Sequence, residues 1–187
     1  MLLERAERVL STKSLPYALD LACGDKKKEG YIGVDINPRF AEICWNLEQY
    51  PWPFADSSVD KIHCTHFIEH VDDIIKFMNE LYRVCRNDAI VYIEAPYYSH
   101  IMASQDPTHK RLISEMSFLY FDKNWRKDSG LLYYPIRSDF RIKKLQFGWD
   151  KSMVDASDDE KQFAREHYLN VIASIGVIMQ CFKEEAK

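Results

Sequence analysis

Apolar positions recur along this chain with two alternating periods, and the alternation predicts an α/β fold. Leu2, Leu3, Ala6, Val9 and Leu10 share one face at helical spacing, which predicts a packing helix over residues 2–10. Short apolar runs at 17–22, 31–34, 43–47, 59–67 and 89–95 have the length of buried strands. Between the last two, Ile74, Phe77, Met78, Leu81, Val84 and Cys85 mark the clearest helix, over 74–85, with Asp72 as its N-cap. Strands alternating with crossovers imply a parallel sheet that receives ligands at its carboxyl edge. Further on, 140–149 and 171–182 read as two final strands, the second also compatible with a helix. The charged stretch 155–165 between them reads as a surface helix.

The first two strands carry the chemistry. The run Tyr17-Ala-Leu-Asp-Leu-Ala22 breaks at Cys23-Gly24-Asp25, where glycine permits a sharp turn and close approach of a ligand. The second strand ends in Asp35, whose carboxylate can accept both hydroxyls of a ribose. The spacing differs from the dinucleotide fingerprint, because Ala22 and Lys26 stand where further glycines would. Only six residues separate Gly24 from Tyr31, too few for an ordinary crossover helix. With no helix N-terminus to anchor a pyrophosphate, the pattern suits a nucleoside without phosphates.

These residues resemble a known family. Asp20-Leu-Ala-Cys-Gly24 and Gly33-Val-Asp35 look like the first two motifs of the class I S-adenosylmethionine-dependent methyltransferases, in a compact form similar to methyltransferase type 11. The resemblance runs on through Asn46-Leu-Glu, residues 52–60, Phe67-Ile-Glu-His-Val71, Glu80-Leu-Tyr-Arg-Val84 and the strand to Pro96. It covers about the first half of the chain, in the expected order. It implies a Rossmann-like, seven-stranded, mostly parallel sheet with a C-terminal antiparallel hairpin, in a three-layer sandwich. It implies S-adenosyl-L-methionine as cofactor and S-adenosyl-L-homocysteine as product. The cofactor contacts carried over are Asp20, Ala22, Cys23, Gly24, Asp35, Ile36, Asn46, Leu47, Thr65 and His66. Asn46 reads equally well as a loop cap, although its amide could address an adenine edge with both a donor and an acceptor. The N-terminal helix could, in such a protein, serve as a lid.

Length and charge narrow the picture. The 187 residues fit one domain, with residues 1–96 as the cofactor half and 97–187 as the acceptor-pocket and closing half. A net charge of −4 argues against general affinity for nucleic acid or anionic membrane. The N/D-P-P-[YF] tetrapeptide of amino-group methylation on bases is also absent. No apolar run is long enough to span a bilayer, and the charged start is unlike a signal peptide. Five scattered cysteines, none in C-x-x-C, suit reduced thiols and a cytoplasmic location.

Residues 66–70, His-Phe-Ile-Glu-His, also match H-x-x-E-H, the inverted zinc-protease signature, which would make His66, Glu69 and His70 a hydrolase site. The context opposes it, since a strand feeds directly into the motif and the helix starts after it. In the second half, Tyr97-Tyr-Ser-His100 follows the fifth strand, and Asp106-Pro-Thr-His-Lys-Arg111 precedes an aromatic run at 118–121. That charged hexapeptide could grip an acceptor or serve as a solvated connection. A small-molecule acceptor losing a proton would need a base, and His100 and His109 are the expected ones, with His66 and His70 also candidates. A non-catalytic binding protein with a degenerate methyltransferase fold is the alternative reading. The aromatic second half could serve a homodimer as well as a pocket.

Overall fold

The computed structural model describes residues 2–184. Its seven strands are β1 (Tyr17–Leu21), β2 (Ile32–Asp35), β3 (Ile43–Cys44), β4 (Val59–Thr65), β5 (Cys85–Pro96), β6 (Phe140–Trp149) and β7 (Ile172–Cys181). They form one sheet in the order β3-β2-β1-β4-β5-β7-β6. The first five are parallel, and β7 runs antiparallel to both β5 and β6. The expected parallel sheet with a closing antiparallel pair is therefore present, and 171–182 resolves as strand. The chain winds outward from β1 to β3 and returns at β4, so a topological switch point lies between the carboxyl ends of β1 and β4.

Cross-strand register explains where the core sits. Leu19, Ile32, Ile62 and Val91 form one row, and Leu21, Val34, Cys64 and Ile93 the next, all facing the same side. Each is no more than 7 % exposed. Helix α1 (Leu2–Leu10) adds Ala6 to this core, and α2 (Ile74–Val84) adds Phe77, Met78, Leu81 and Val84. Burying each large side chain contributes about 1.5–3 kcal/mol. Three short helices, α3 (Met102–Gln105), α4 (Glu115–Leu119) and α5 (Lys123–Asp128), follow β5, and α6 (Asp158–His167) joins the last two strands.

The opposite face carries a polar row. There Gly33, Asp20, His63 and Tyr92 form a register row, and their neighbours Lys61 and Ile90 are exposed. Residues 22–31 join β1 to β2 and residues 36–42 join β2 to β3, and neither connection contains a helix. Loop side chains take the place of a helix over Gly33. A Cβ there would lie 2.7 Å from Lys27 Cδ and 2.9 Å from Cys23 Sγ. The polar and aromatic side chains on this face account for the burial alternation in β4 and β5.

Several boundaries moved for identifiable reasons. The N-cap of α2 is Asp73, whose carboxylate accepts from Lys76 N at 3.0 Å, while Asp72 pairs with Lys110. Cys85 turns extended and starts β5 early, through a bulge where Asp88 has φ 65°. β3 stops at Cys44, because the following turn is closed by Gln49 N donating to Asn46 O. All five cysteines are unpaired thiols, as expected. Among the described residues, no helix is long and apolar enough to cross a membrane.

Candidate active site at the carboxyl edge

The two strands flanking the switch point both end in left-handed backbone. Ala22 follows β1 with φ 52°, and His66 follows β4 with φ 53°. A residue bearing a Cβ is strained there by about 1–2 kcal/mol. Such strain concentrates where function fixes the chain. Gly24, at φ 51°, faces space in which an added Cβ would meet nothing within 4 Å.

Asp35 ties this turn to β2. Its Oδ2 accepts from Gly24 N at 3.0 Å and its Oδ1 from Asn37 N at 2.8 Å. Each oxygen retains a second lone pair, so the carboxylate sits at the edge with capacity for two hydroxyl donors. Ile36 beside it is 67 % exposed and offers an apolar surface. Open backbone at Gly24, a half-buried carboxylate and an exposed aliphatic side chain suit the turn, ribose and base of a nucleoside. The residues present therefore fit S-adenosylmethionine.

Most of the other expected contacts are engaged within the protein. Asp20 is 2 % exposed, and both its oxygens are engaged, Oδ1 with His63 Nδ1 at 2.8 Å and Oδ2 with Lys28 N at 2.7 Å. It braces the helix-free connection from below. Cys23 is buried, which raises its thiol pKa to about 11 with help from Asp20 and Asp35, so the thiol stays protonated. Asn46 Oδ1 accepts from Glu48 N at 3.0 Å as a loop cap, leaving its amide nitrogen for a ligand. Leu47 is 4 % exposed and lies in the core. Thr65 closes β4 beside His66.

The histidines separate clearly. His100 is 8 % exposed, its Nδ1 accepts from Met102 N at 3.2 Å, and its Nε2 lies 3.6 Å from Asp150. Its ring thus braces the loop after β5 and has no free lone pair for a base. His109 stands differently. Its Nδ1 bonds Ala103 O at 3.0 Å, and its ring meets that of His70 edge-on at 4.7 Å. His66 Nδ1 lies 3.6 Å from Glu69 Oε1, and Glu69 raises the imidazole pKa above its ordinary value. Residues 66–70 form a turn between β4 and α2, so the helical geometry of the H-x-x-E-H hydrolase motif is not present.

The hexapeptide 106–111 docks onto this turn. Lys110 N donates to Glu69 O at 2.8 Å, and Arg111 donates to Ile68 O and Asp72 O at 3.1 and 3.0 Å. Its two cations are spent on that docking. The juxtaposition of His70 and His109 was not legible, since they lie far apart in sequence. The paired motifs Glu69-His70 and Thr108-His109 were the available signal. A cavity of about 540 Å³ also opens beside Tyr97, but its Arg165 is occupied by Glu115 at 2.6 Å and by the Phe147 ring.

Residues 2–93 match the family model of a methyltransferase domain. The chain is similar to the crystal structure of a SAM-dependent methyltransferase from Archaeoglobus fulgidus, at 19 % identity and TM-score 0.60, covering 95 % of this chain and 92 % of that one. It is similar to SAM-dependent methyltransferases from Methanosarcina mazei, at 15 % identity and TM-score 0.55, covering 94 % and 98 %. It also resembles a chain of a Haloferax volcanii complex between the Trm112 methyltransferase activator and a methyltransferase, at 14 % identity and TM-score 0.54, covering 96 % and 89 %. At these identities the structures establish the fold. No curated protein matches the sequence.

Proposed function

Taking as premise that this chain is a class I S-adenosylmethionine-dependent methyltransferase, by its domain over residues 2–93 and by its fold, we propose that it methylates a small-molecule acceptor held beside the β4–α2 turn. The observation carrying this reading is the Asp35 carboxylate, fixed by Gly24 N and Asn37 N next to the switch point and open to a ribose. The cofactor, when bound, supplies an electrophilic methyl group on a sulfonium.

The chain's own residues then have positioning roles. Asp35 receives the ribose hydroxyls, Ile36 backs the adenine, and Asn46 addresses the adenine edge with its amide nitrogen. The Ala22–Gly24 turn passes beneath the amino-acid portion, and Asp20 holds that turn in place. Thr65 and His66 flank the methyl-bearing sulfur. His109, with His70, receives the polar group of the acceptor, and aligning that group with the S–CH₃ bond supplies on the order of several kcal/mol. His100 positions the loop that follows β5. Net charge −4 supports a small acceptor over a nucleic acid, and the unpaired thiols suit a cytoplasmic setting.

Methyl-labelled S-adenosylmethionine incubated with the protein and a fractionated cell extract tests the acceptor class. Label is expected in the low-mass fraction. Label confined to protein or RNA would contradict the small-molecule reading.

A further inference from the structure

We infer that Glu69, His70 and His109 form a binding site for one first-row divalent cation. Glu69 is 2 % exposed, yet neither of its carboxylate oxygens has a hydrogen-bond partner. The other buried carboxylates are satisfied. Asp20 holds His63 and Lys28, Glu80 holds Trp52 N and Arg83, and Asp139 holds Lys123 N and Arg141. A buried carboxylate that accepts no hydrogen bond and has only the His66 imidazole at 3.6 Å is costly, and pairing with a metal relieves that cost.

Two imidazole nitrogens complete the set. The ligand atoms of Glu69, His70 and His109 all lie within 4.8 Å of one another, close enough to share one ion. Both rings are fixed in one tautomer by partners on the far side. His109 Nδ1 donates to Ala103 O at 3.0 Å. His70 Nδ1 faces Thr108 Oγ1 at 3.0 Å and Thr108 O at 3.3 Å. The Thr108 hydroxyl proton goes to Asp106 Oδ1 at 2.6 Å, so Thr108 Oγ1 accepts from His70. Each ring therefore keeps its proton on Nδ1 and leaves the Nε2 lone pair free. Metal-binding imidazoles are oriented in this way.

The donor set indicates the class of ion. One carboxylate and two imidazoles with open positions suit zinc, manganese or iron, whereas magnesium and calcium prefer oxygen ligands. Asp106 Oδ2 lies 3.9 Å from His109 Nε2, so a second negative charge stands nearby. His66 approaches Glu69 from the switch-point side at 3.6 Å. The ion would sit between the end of β4 and the docked segment 106–111. The consequence for catalysis rests on the methyltransferase reading. A hydroxylated acceptor bound through its oxygen would lose its proton to water more readily, without a dedicated base.

The test uses chelator-treated full-length protein in calorimetric titrations with ZnCl₂, MnCl₂ and MgCl₂ separately. Zinc or manganese is expected to bind saturably with one ion per chain, and magnesium about tenfold or more weakly. Glu69→Gln and His109→Ala are each expected to weaken binding by about 100-fold. In the metal-free protein Glu69→Gln is expected to raise the melting temperature, because it removes a buried charge that accepts no hydrogen bond. Absence of saturable binding by all three ions would overturn the proposal, as would unchanged affinity in the folded Glu69→Gln/His109→Ala variant. Titration of the metal-free protein with S-adenosylhomocysteine separates the two readings. Cofactor binding without an ion site overturns only this proposal, and an ion site without cofactor binding supports it while overturning the methyltransferase reading.

Discussion

Asp35→Ala is expected to reduce affinity for S-adenosylmethionine by about 10²–10⁴-fold while leaving the protein folded. Each ribose hydroxyl donating to an ionised carboxylate contributes about 1.5–3 kcal/mol, so losing two removes roughly 3–6 kcal/mol of binding. The same substitution costs little stability. Asp35 is half-buried at the sheet edge, and its two partners, Gly24 N and Asn37 N, lie in part-exposed turns where water can replace the carboxylate. Affinity measured by titration, with circular dichroism as the control for folding, checks both halves of the expectation. An affinity within about threefold of the parent would place the nucleoside elsewhere.

Asp20→Ala is expected to act in the opposite proportion, with a large loss of stability. This carboxylate is 2 % exposed and links three segments, since it lies on β1, pairs with His63 on β4 and accepts from Lys28 N in the β1–β2 connection. Removing it strands a part-buried imidazole nitrogen and a backbone donor, at a cost of about 2–4 kcal/mol. For a chain of this size the melting temperature should fall by roughly 5–15 °C. Asp20→Asn, which keeps one acceptor, should lose about half as much. Because the 22–31 connection contains no helix, its geometry depends on this brace, and cofactor affinity should fall about tenfold. A thermal shift below about 2 °C in Asp20→Ala would show that the connection holds itself.

The parts of this protein that were legible from sequence are those where one signal acts alone. Strands β1, β2 and β4 were clear because buried runs are short and bounded by Gly24, Asn37-Pro38 and the charged start of α2. The tight β1–β2 connection was legible from spacing, since six residues between Gly24 and Tyr31 exclude a normal crossover helix. The polar row on one sheet face is the consequence that was missed. It becomes visible only when register aligns Gly33, Asp20, His63 and Tyr92 on one side. Read singly, each is an ordinary polar or aromatic strand residue.

The candidate site divides in the same way. Gly24, Asp35 and Ile36 could be proposed from sequence because a turn and a strand end fix them locally. Asp20 and Leu47, expected at the ligand, are buried in this structure, because burial depends on neighbours that sequence order does not show. His100 and His109 looked equivalent in sequence, and their hydrogen bonds separate them. The pairing of Glu69-His70 with His109 depends on Lys110 and Arg111 docking onto residues 68–72, a contact made across about forty residues.

The most direct test of the central claim is calorimetric titration of the purified protein with S-adenosylmethionine and then S-adenosylhomocysteine. Saturable binding of both at one site per chain, with micromolar affinity, is the predicted result. No binding of either would contradict the account, and would mean that the connection between Gly24 and Tyr31 closes the edge against a nucleoside.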